Sequence, residues 1–431
     1  MLISSGLSQN RFSLMNTESD KIKFELIDNL MVLPVSINGV ELSFILDTGV
    51  SRPILFNILN FADSLQLKNY ETTPLRGLGA DGSINAIRSK SNVVKVGKAL
   101  NVNQEIFVVF DNSINFTPIL GVPVHGIIGF DLLKDFVVEI NYRAKFLKLH
   151  NPETYKYKRC KKCETLNLSF SNGKPYLDAI GYFDNKPKKL KLLIDTGGSD
   201  DLWLFEDDSL GIKPLQNKYF DDYLGRGLSG NVYGKRSKVE KFKINKFEFS
   251  MVNTAFPDSS AIFLARSFKE RSGSISGGLL RRFNLIFDYH RNQLTLKKNA
   301  NYSLPFEYNK SGIVIEQRGM RLVREIIKAH VTDVYGRKNE SGTTLMSATT
   351  YGYNLKPAFQ IVEIRTNSVA EQAGLKIGDV VTSINGKPTQ YLSLQQVNKL
   401  FYLKAGSTVK MVVDRNDKEM SFEFKLKDLF Q

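Results

Sequence analysis

The feature that most restricts how this chain can fold is a repeat. The stretch "LSFILDTGVSRPIL" at residues 42–55 returns as "LKLLIDTGGSDDLWL" at residues 190–204, placing Asp195 148 residues after Asp47. Two more patches keep the register. "RGLGADGSI" (76–84) falls on "GRGLSGNVY" (225–233), so Gly77, Gly79 and Gly82 coincide with Gly225, Gly227 and Gly230. "GIIGFDLLKDFVVEINYRAKFLKLH" (126–150) falls on "GSISGGLLRRFNLIFDYHRNQLTLKKN" (273–299) at a shift one residue shorter. An internal repeat of this period means two similar domains of about 145 residues each.

Both copies read as β structure. "LSFILD" and "LKLLID" are apolar runs that stop at a polar turn, the pattern of core strands. "FVVEINY" with "KFLKL", and "FNLIFDY" with "QLTL", alternate and read as hairpins. "GFDLLKDF" and "GGLLRRF" read as helical segments of about two turns. The expected organisation is an N-terminal tail or processed end at 1–23, a first lobe at 24–155, a second at 156–304 and a further domain at 305–431. In that last part, residues 323–357 turn polar and read as a mobile insertion. Order returns with the strand "FQIVEI", a helix near "SLQQVNKLFYL" and the strands "STVKMVVDR" and "EMSFEFKL".

Composition excludes some classes. Lys and Arg number 59 against 44 Asp and Glu, a net charge of +15, but the cations are scattered and no nucleic-acid motif accompanies them. The basic balance hints at acidic or extended polar substrates. No run of about 20 apolar residues reads as a membrane span, and the N-terminus lacks the basic and apolar regions of a signal peptide. Cys160 and Cys163 form a disulfide or stay as two thiols; a metal site would need more ligands than the four scattered histidines offer. No cofactor is expected.

The chemistry lies in the paired Asp-Thr-Gly. One such tripeptide is an ordinary turn with an Asx hydrogen bond. A buried carboxylate at a strand end needs partners or a task. Two such loops facing each other across a pseudo-two-fold axis would bring Asp47 and Asp195 together. Two carboxylates at one site share a proton, one pKa is driven up, and identical residues then serve as acid and base. The ionised partner takes a proton from a water that attacks a peptide carbonyl, and the protonated partner donates to the carbonyl oxygen.

These motifs resemble those of the pepsin and retropepsin-type aspartic proteases, specifically bacterial two-lobed members with a C-terminal PDZ domain. The resemblance rests on the apolar-apolar-Asp-Thr-Gly-x-Ser pattern in both lobes, on Ile127-Ile128-Gly129, and on "SVAEQAGLKIGDVVTSINGK" in the last domain. It covers roughly residues 24–300 and 305–428. It implies a mainly β, bilobal acid-protease-like fold of two β-barrel-like lobes plus a PDZ domain, and an aspartic-type endopeptidase. Asp47 and Asp195 would be catalytic. Thr48, Gly49, Ser51, Thr196, Gly197 and Ser199 would support them, and Ile127, Ile128, Gly129, Ile275 and Ser276 would pack over them. Ser276 departs from the pattern, which has Gly: its Cβ crowds the loop, or Gly277 serves in a shifted register.

A lobe-one flap is expected at 75–89, mobile through Gly77, Gly79 and Gly82, without the Tyr of pepsin-like enzymes. "GRGLSGNVY" forms a second flap or a shortened counterpart. In the PDZ domain, Ser311, Gly312 and Ile313 would offer N–H groups to a peptide C-terminus. The resemblance further implies a peptide or protein substrate, a monomer, and a periplasmic or envelope location in a Gram-negative bacterium. The alternative is a non-catalytic peptide-binding protein on the same scaffold.

Overall fold

Among the described residues the two copies of the repeat build matching sheets of eight strands, to which the first adds a ninth, Ser13–Leu14. The structure is a computed structural model that describes residues 10–58, 60–79, 82–111, 114–328 and 349–430. The chain is mainly β and multi-sheet. In the first copy, Ala99–Val109 pairs Ile54–Leu55, then Gly126–Ile128, Val40–Leu46, Leu30–Ile37 and Ile84–Val96, which pairs Ala99–Val109 again. In the second, the matching circuit runs Phe247–Pro257, Leu202–Leu204, Arg271–Ser276, Lys186–Asp195, Lys174–Phe183 and Gly230–Ile244, which pairs Phe247–Pro257. Each circuit contains a parallel pair that ends at an Asp-Thr-Gly: Gly126–Ile128 beside Phe44–Leu46, and Ser274–Ser276 beside Leu193–Asp195.

A third sheet joins the copies. Its order is Cys163–Asn167, Gln293–Lys298, Phe283–Asp288, Val137–Asn141, Phe146–His150 and Ser19–Lys23. At its centre Val137–Asn141 runs antiparallel to Phe283–Asp288, so Ile140 lies opposite Leu285. Val138, Ile140, Leu147, Leu149, Leu285, Phe287, Leu294 and Leu296 are all buried in one core. The period-two alternation read in "FVVEINY" and "FNLIFDY" is what lets this sheet bury one face.

Four expectations need correction. Residues 10–23 are more than a tail: Ser13–Leu14 pairs Leu100–Ala99, and Ser19–Lys23 is an edge strand of the joining sheet. The helical segments Phe130–Leu133 and Gly277–Leu280 are about one turn each, because strands follow at once at Val137 and Phe283. The described parts of the supposed insertion, 323–328 and 349–357, are ribbon: Ile313–Lys328 pairs Thr349–Ile364 antiparallel. Residues 329–348 of that call lie outside the described residues. The ribbon's exposed apolar face carries Met320, Leu322, Ile326, Tyr351, Tyr353 and Leu355, while Val323 turns inward. The fourth concerns grouping. Both lobes fall in one compact unit, made of the chain to Thr117, Val122–Tyr308 and the end from Leu429; the other unit holds Pro118–Gly121 and Asn309–Asp428.

The second unit has its own core, including Ile313, Ile315, Phe359, Ile361, Val381, Val397, Phe401 and Met411. Its helix Leu394–Lys399 opens on a capping box between Ser393 and Gln396. Asn385-Gly386 turns between strands with both residues at positive φ. Cys160 and Cys163 form a disulfide, which settles that alternative. Among the described residues no helix is long and apolar enough to cross a membrane.

The joining sheet yields a stability test. Leu285 is 1% exposed at its centre. Leu285→Ala is expected to cost about 2–5 kcal/mol through lost contacts and a cavity, seen as a lower denaturation midpoint. The exposed Leu304→Ala should stay within about 0.5 kcal/mol of wild type.

Candidate active site

The site is built where the two Asp-Thr-Gly loops meet. Thr48 and Thr196 are both 0% exposed. The Thr48 backbone N–H donates to Thr196 Oγ1 and the Thr196 N–H to Thr48 Oγ1, each at 3.1 Å. The Thr48 hydroxyl donates to Ile194 O at 2.5 Å, and the Thr196 hydroxyl to Leu46 O at 2.8 Å. Each threonine thus hands its proton to the strand preceding the other loop. A buried N–H or carbonyl left without a partner costs about 1–3 kcal/mol, so these four bonds strongly specify how the loops face.

The carboxyls follow from that arrangement. A Cβ on Gly49 would lie 3.7 Å from Asp195 Oδ1 as well as against Asp47 Oδ1, so the two carboxyls converge on that glycine. Gly49 N–H donates to Asp47 Oδ1 at 2.6 Å, and Gly197 N–H to Asp195 Oδ1 at 3.0 Å. A Cβ on Gly197 would stand 2.2 Å from Asp47 Cγ, and one on Gly49 2.9 Å from Asp47 Oδ1. Glycine is needed here for close approach, since any side chain would push the carboxyls apart. Burial, then the Asp195 carboxylate, raise the Asp47 pKa to about 7. Burial also raises Asp195; Arg271, the Gly197 and Gly198 N–H groups and Lys174 oppose that rise.

The flanking segments pack as a pair with one exchange of bulk. Asp47 N–H donates to Ile128 O at 2.9 Å, and a Cβ on Gly129 would lie 1.9 Å from Asp47 O. Phe130 N–H donates to Val50 O at 3.0 Å. In the second copy Ile275 lies beside Ile194 and Ser276 beside Asp195, and Gly277 N–H donates to Gly198 O at 2.8 Å. Ser276 therefore occupies the place of Gly129 without a register shift. It fits because Gly198 stands where the first copy has Val50: a Cβ on Gly198 would be 2.8 Å from Ser276 Oγ.

Ser51 and Ser199 sit at the loop ends. Ser51 Oγ donates to Asn172 O at 2.7 Å, and Ser199 O accepts from Asn29 Nδ2 at 2.6 Å. Both contacts tie one lobe to the other.

The two glycine-rich hairpins meet. Gly77 N–H donates to Ser229 Oγ at 3.0 Å, Ser229 N–H to Leu78 O at 2.8 Å, and Gly79 N–H to Ala261 O at 3.2 Å. A Cβ on Gly79 would lie 2.0 Å from Ser229 O. Gly82 has open space around its α-carbon.

In the second unit, the expected peptide-terminus loop has its N–H groups engaged. Ser311 and Gly312 N–H donate to Asn309 Oδ1 at 3.0 and 3.3 Å, and Ile313 N–H to Ser311 Oγ at 3.2 Å. A carboxylate would have to displace these internal bonds.

Sequence reading missed Lys174, Arg271, Asn29 and Ser229. A lone cation or polar residue in an ordinary strand or turn carries no pattern; only the tertiary fold brings these four to bear on the two loops and hairpins. Among the described residues there is no cluster of three or more His, Cys, Asp or Glu that could hold a metal.

Comparison with known proteins separates the units. A family model described as "Aspartyl protease" matches residues 33–132, and one described as "PDZ domain" matches residues 360–415. Among curated relatives, "Serine protease Do-like HtrA" of Lactobacillus helveticus is 38% identical over 74 residues, 17% of this chain and 17% of that protein. "Serine endoprotease DegS" of Salmonella typhimurium (strain 14028s / SGSC 2262) is 29% identical over 79 residues, 18% of this chain and 22% of that protein. The chain thus spans about a fifth or less of the length of these relatives.

These findings correct the family placement made above. The curated relatives are named serine proteases, and the aspartyl protease match stops at residue 132. The placement of the whole chain among two-lobed pepsin-like or retropepsin-like enzymes, and the label of aspartic-type endopeptidase drawn from it, are not carried by its relatives. The Ser-His-Asp form of serine-type chemistry needs a histidine on the serine hydroxyl. Among the described residues no serine hydroxyl bonds to a histidine: His125 Nδ1 accepts from the Ser43 backbone N–H, and His150 faces Glu139. His330 lies outside the described residues.

Two tests follow. Thr48→Val removes the hydroxyl that serves both Ile194 O and Thr196 N–H, with an expected loss of about 2–5 kcal/mol; Thr48→Ser, which keeps it, should recover most of that in denaturation. The second concerns pH. A carboxyl raised from 3.8 to about 7 in the fold keeps its proton while the unfolded chain has lost it, so stability falls as pH rises through that window. Asp47→Asn should flatten this fall in melting temperature against pH.

Proposed function

We propose that this chain hydrolyses peptide bonds, that Asp47 and Asp195 are its reacting groups, and that the PDZ domain binds peptide or protein substrate. The observation that carries this reading is the convergence of the two carboxyls on Gly49 and Gly197, held by threonines that cross between the loops. A raised pKa on one member leaves one proton between the two near neutral pH. The charged carboxylate can then deprotonate a water, and the protonated one can donate to the carbonyl oxygen of an extended peptide. Attack gives a tetrahedral diol; proton delivery to the nitrogen expels the amine and leaves a carboxylic acid.

The hairpins meeting at Gly77–Gly79 and Ser229 would cover a peptide with backbone groups and limit water. We take the two strand circuits as barrel-like lobes related by a pseudo-two-fold axis, with lobe boundaries near 155 and 304. Ser311, Gly312 and Ile313 would receive a peptide terminus after Asn309 swings away. The Cys160–Cys163 disulfide fits an oxidising compartment such as a periplasm or envelope.

A second reading takes its support from the names of the curated relatives: a serine-type hydrolase. One experiment tells the two apart. Asp47→Asn and Asp195→Asn are each expected to lower cleavage of a diverse peptide library by about 10²–10⁴-fold with the fold retained by circular dichroism. A serine-directed fluorophosphonate should leave activity intact. Full activity in both variants, with covalent labelling and inactivation by the fluorophosphonate, would establish the serine reading. A wild-type protein that binds these peptides and cuts none would be a peptide-binding scaffold.

A further inference from the structure

The hairpins carry a second repeated feature, an arginine on each return strand. Arg88 lies in Ile84–Val96 and Arg236 in Gly230–Ile244, at the same shift of 148 that carries Asp47 to Asp195. Each arginine bonds an acid on the outgoing strand of its own hairpin: Arg88 Nη1 meets Glu71 at 3.1 Å, and Arg236 Nε meets Asp222 at 2.8 Å. Each also reaches the residue that directly follows an Asp-Thr-Gly-x-Ser. In the second copy the reach is direct, from Arg236 Nη1 to Asp200 Oδ1 at 2.8 Å. In the first copy that residue is Arg52, so a carboxylate stands between. Glu105 accepts from Arg88 Nη2 at 2.6 Å and faces Arg52 Nε at 3.5 Å.

The two links differ in strength. Around Arg236 the side chains are enclosed, with 14% exposure for the arginine, 20% for Asp200 and 18% for Asp222. Asp200 has a further donor in Trp203 Nε1 at 2.7 Å, and Trp203 packs against the apolar cluster that holds Leu224 and Val232 of the same hairpin. The Asp200 carbonyl accepts from Gly278 N–H at 2.9 Å, next to Gly277 and Ser276 of the flanking segment. Arg88 is 38% exposed and Glu71 55%, so solvent weakens the first link.

A continuous line of contacts therefore runs from the Asp195 loop through Asp200, Arg236 and Asp222 into the second hairpin, and from its Ser229 to Gly77 of the first. Asp200 and Asp222 share one guanidinium. Without it, two like charges would face each other in a partly enclosed place, where an unpaired charge is costly. The hairpin strand would be pushed away from the loop.

We propose that Arg236 is a positioning residue. It fixes the second hairpin at one distance from the Asp195 loop, so that the cover and the carboxyls are set together when a peptide is held. Arg88 does the same for the first hairpin through Glu105, less firmly. The inference rests on the reading in which the hairpins cover a bound peptide. A guanidinium suits the task because Nε and Nη1 bind two separate carboxylates in fixed directions. An ammonium at the same place would be a point charge without that geometry.

Trp203 is the only tryptophan of the chain, so its fluorescence reports on this contact without any substrate. Arg236→Met is expected to shift Trp203 emission to the red and to increase its quenching by acrylamide. With peptide substrates well below the melting temperature, it should lower kcat/KM about tenfold or more, as for a lost hydrogen bond to a charged group, mainly through KM. Arg236→Lys should recover part of both effects, and Arg88→Met should raise KM less. Asp222→Asn, which opens one arm only, is read in the same way if Arg236→Met does not fold. Leu285→Ala, destabilised in the joining sheet, should keep the wild-type KM and emission. An unchanged KM in folded Arg236→Met would overturn the proposal whatever the emission shows, as would an equal rise in KM for Leu285→Ala. A wild type that binds the peptides in fluorescence anisotropy without cutting them, with weaker binding by Arg236→Met, would instead sink the hydrolase reading and leave the positioning role standing. A wild type that neither binds nor cuts peptides would overturn both.

Discussion

The structure depends on a four-bond exchange between Thr48 and Thr196. Each side chain is wholly buried, each hydroxyl both donates and accepts, and each donation goes to the strand before the opposite loop. Such a fully satisfied buried polar knot specifies one arrangement, because any slip would strand several groups at once. The glycines follow from it. Gly49 and Gly197 are small because the knot draws the loops to a distance at which a Cβ would strike a carboxyl. The joining sheet supplies the second restraint, since Val137–Asn141 and Phe283–Asp288 pair across the repeat and hold the two circuits in one unit.

Electrostatics at the site are a contest between burial and compensation. Burial and mutual repulsion favour a proton on the carboxyl pair. Backbone N–H groups and two cations favour its charge. The balance leaves Asp47 titrating near neutrality, where one carboxyl can act as acid while the other acts as base.

The comparisons show why chemistry must be argued from the site. A PDZ domain is a module that accompanies different enzymes, and function travels with the residues of a site rather than with a shared segment. Relatives sharing 74 and 79 residues with this chain carry serine-protease names. The aspartyl protease match covers residues 33–132, which include Asp47 and Ile127–Gly129 but not Asp195. What unites Asp47 with Asp195 is geometry alone.

The repeat was legible in the sequence because duplication leaves the same words in the same order: the paired Asp-Thr-Gly, the glycine-rich hairpins and the "FVVEINY" and "FNLIFDY" strands. Period-two alternation marks a strand wherever one face is buried, so the hairpins of the joining sheet could be read locally. The role of residues 10–23 could not, since an edge strand is defined by a partner more than 100 positions away. Ser276 looked like a defect in isolation; only the tertiary structure set it against Gly198, which makes its room. Lys174 and Arg271 are single cations without a motif, so nothing in the sequence marked them as charges acting on Asp195. The sequence by itself determined that two like halves each present one carboxylate. Tertiary structure decided that the carboxylates converge on the glycines of the two loops, and which charges surround them, because distance and burial belong to no single stretch of chain.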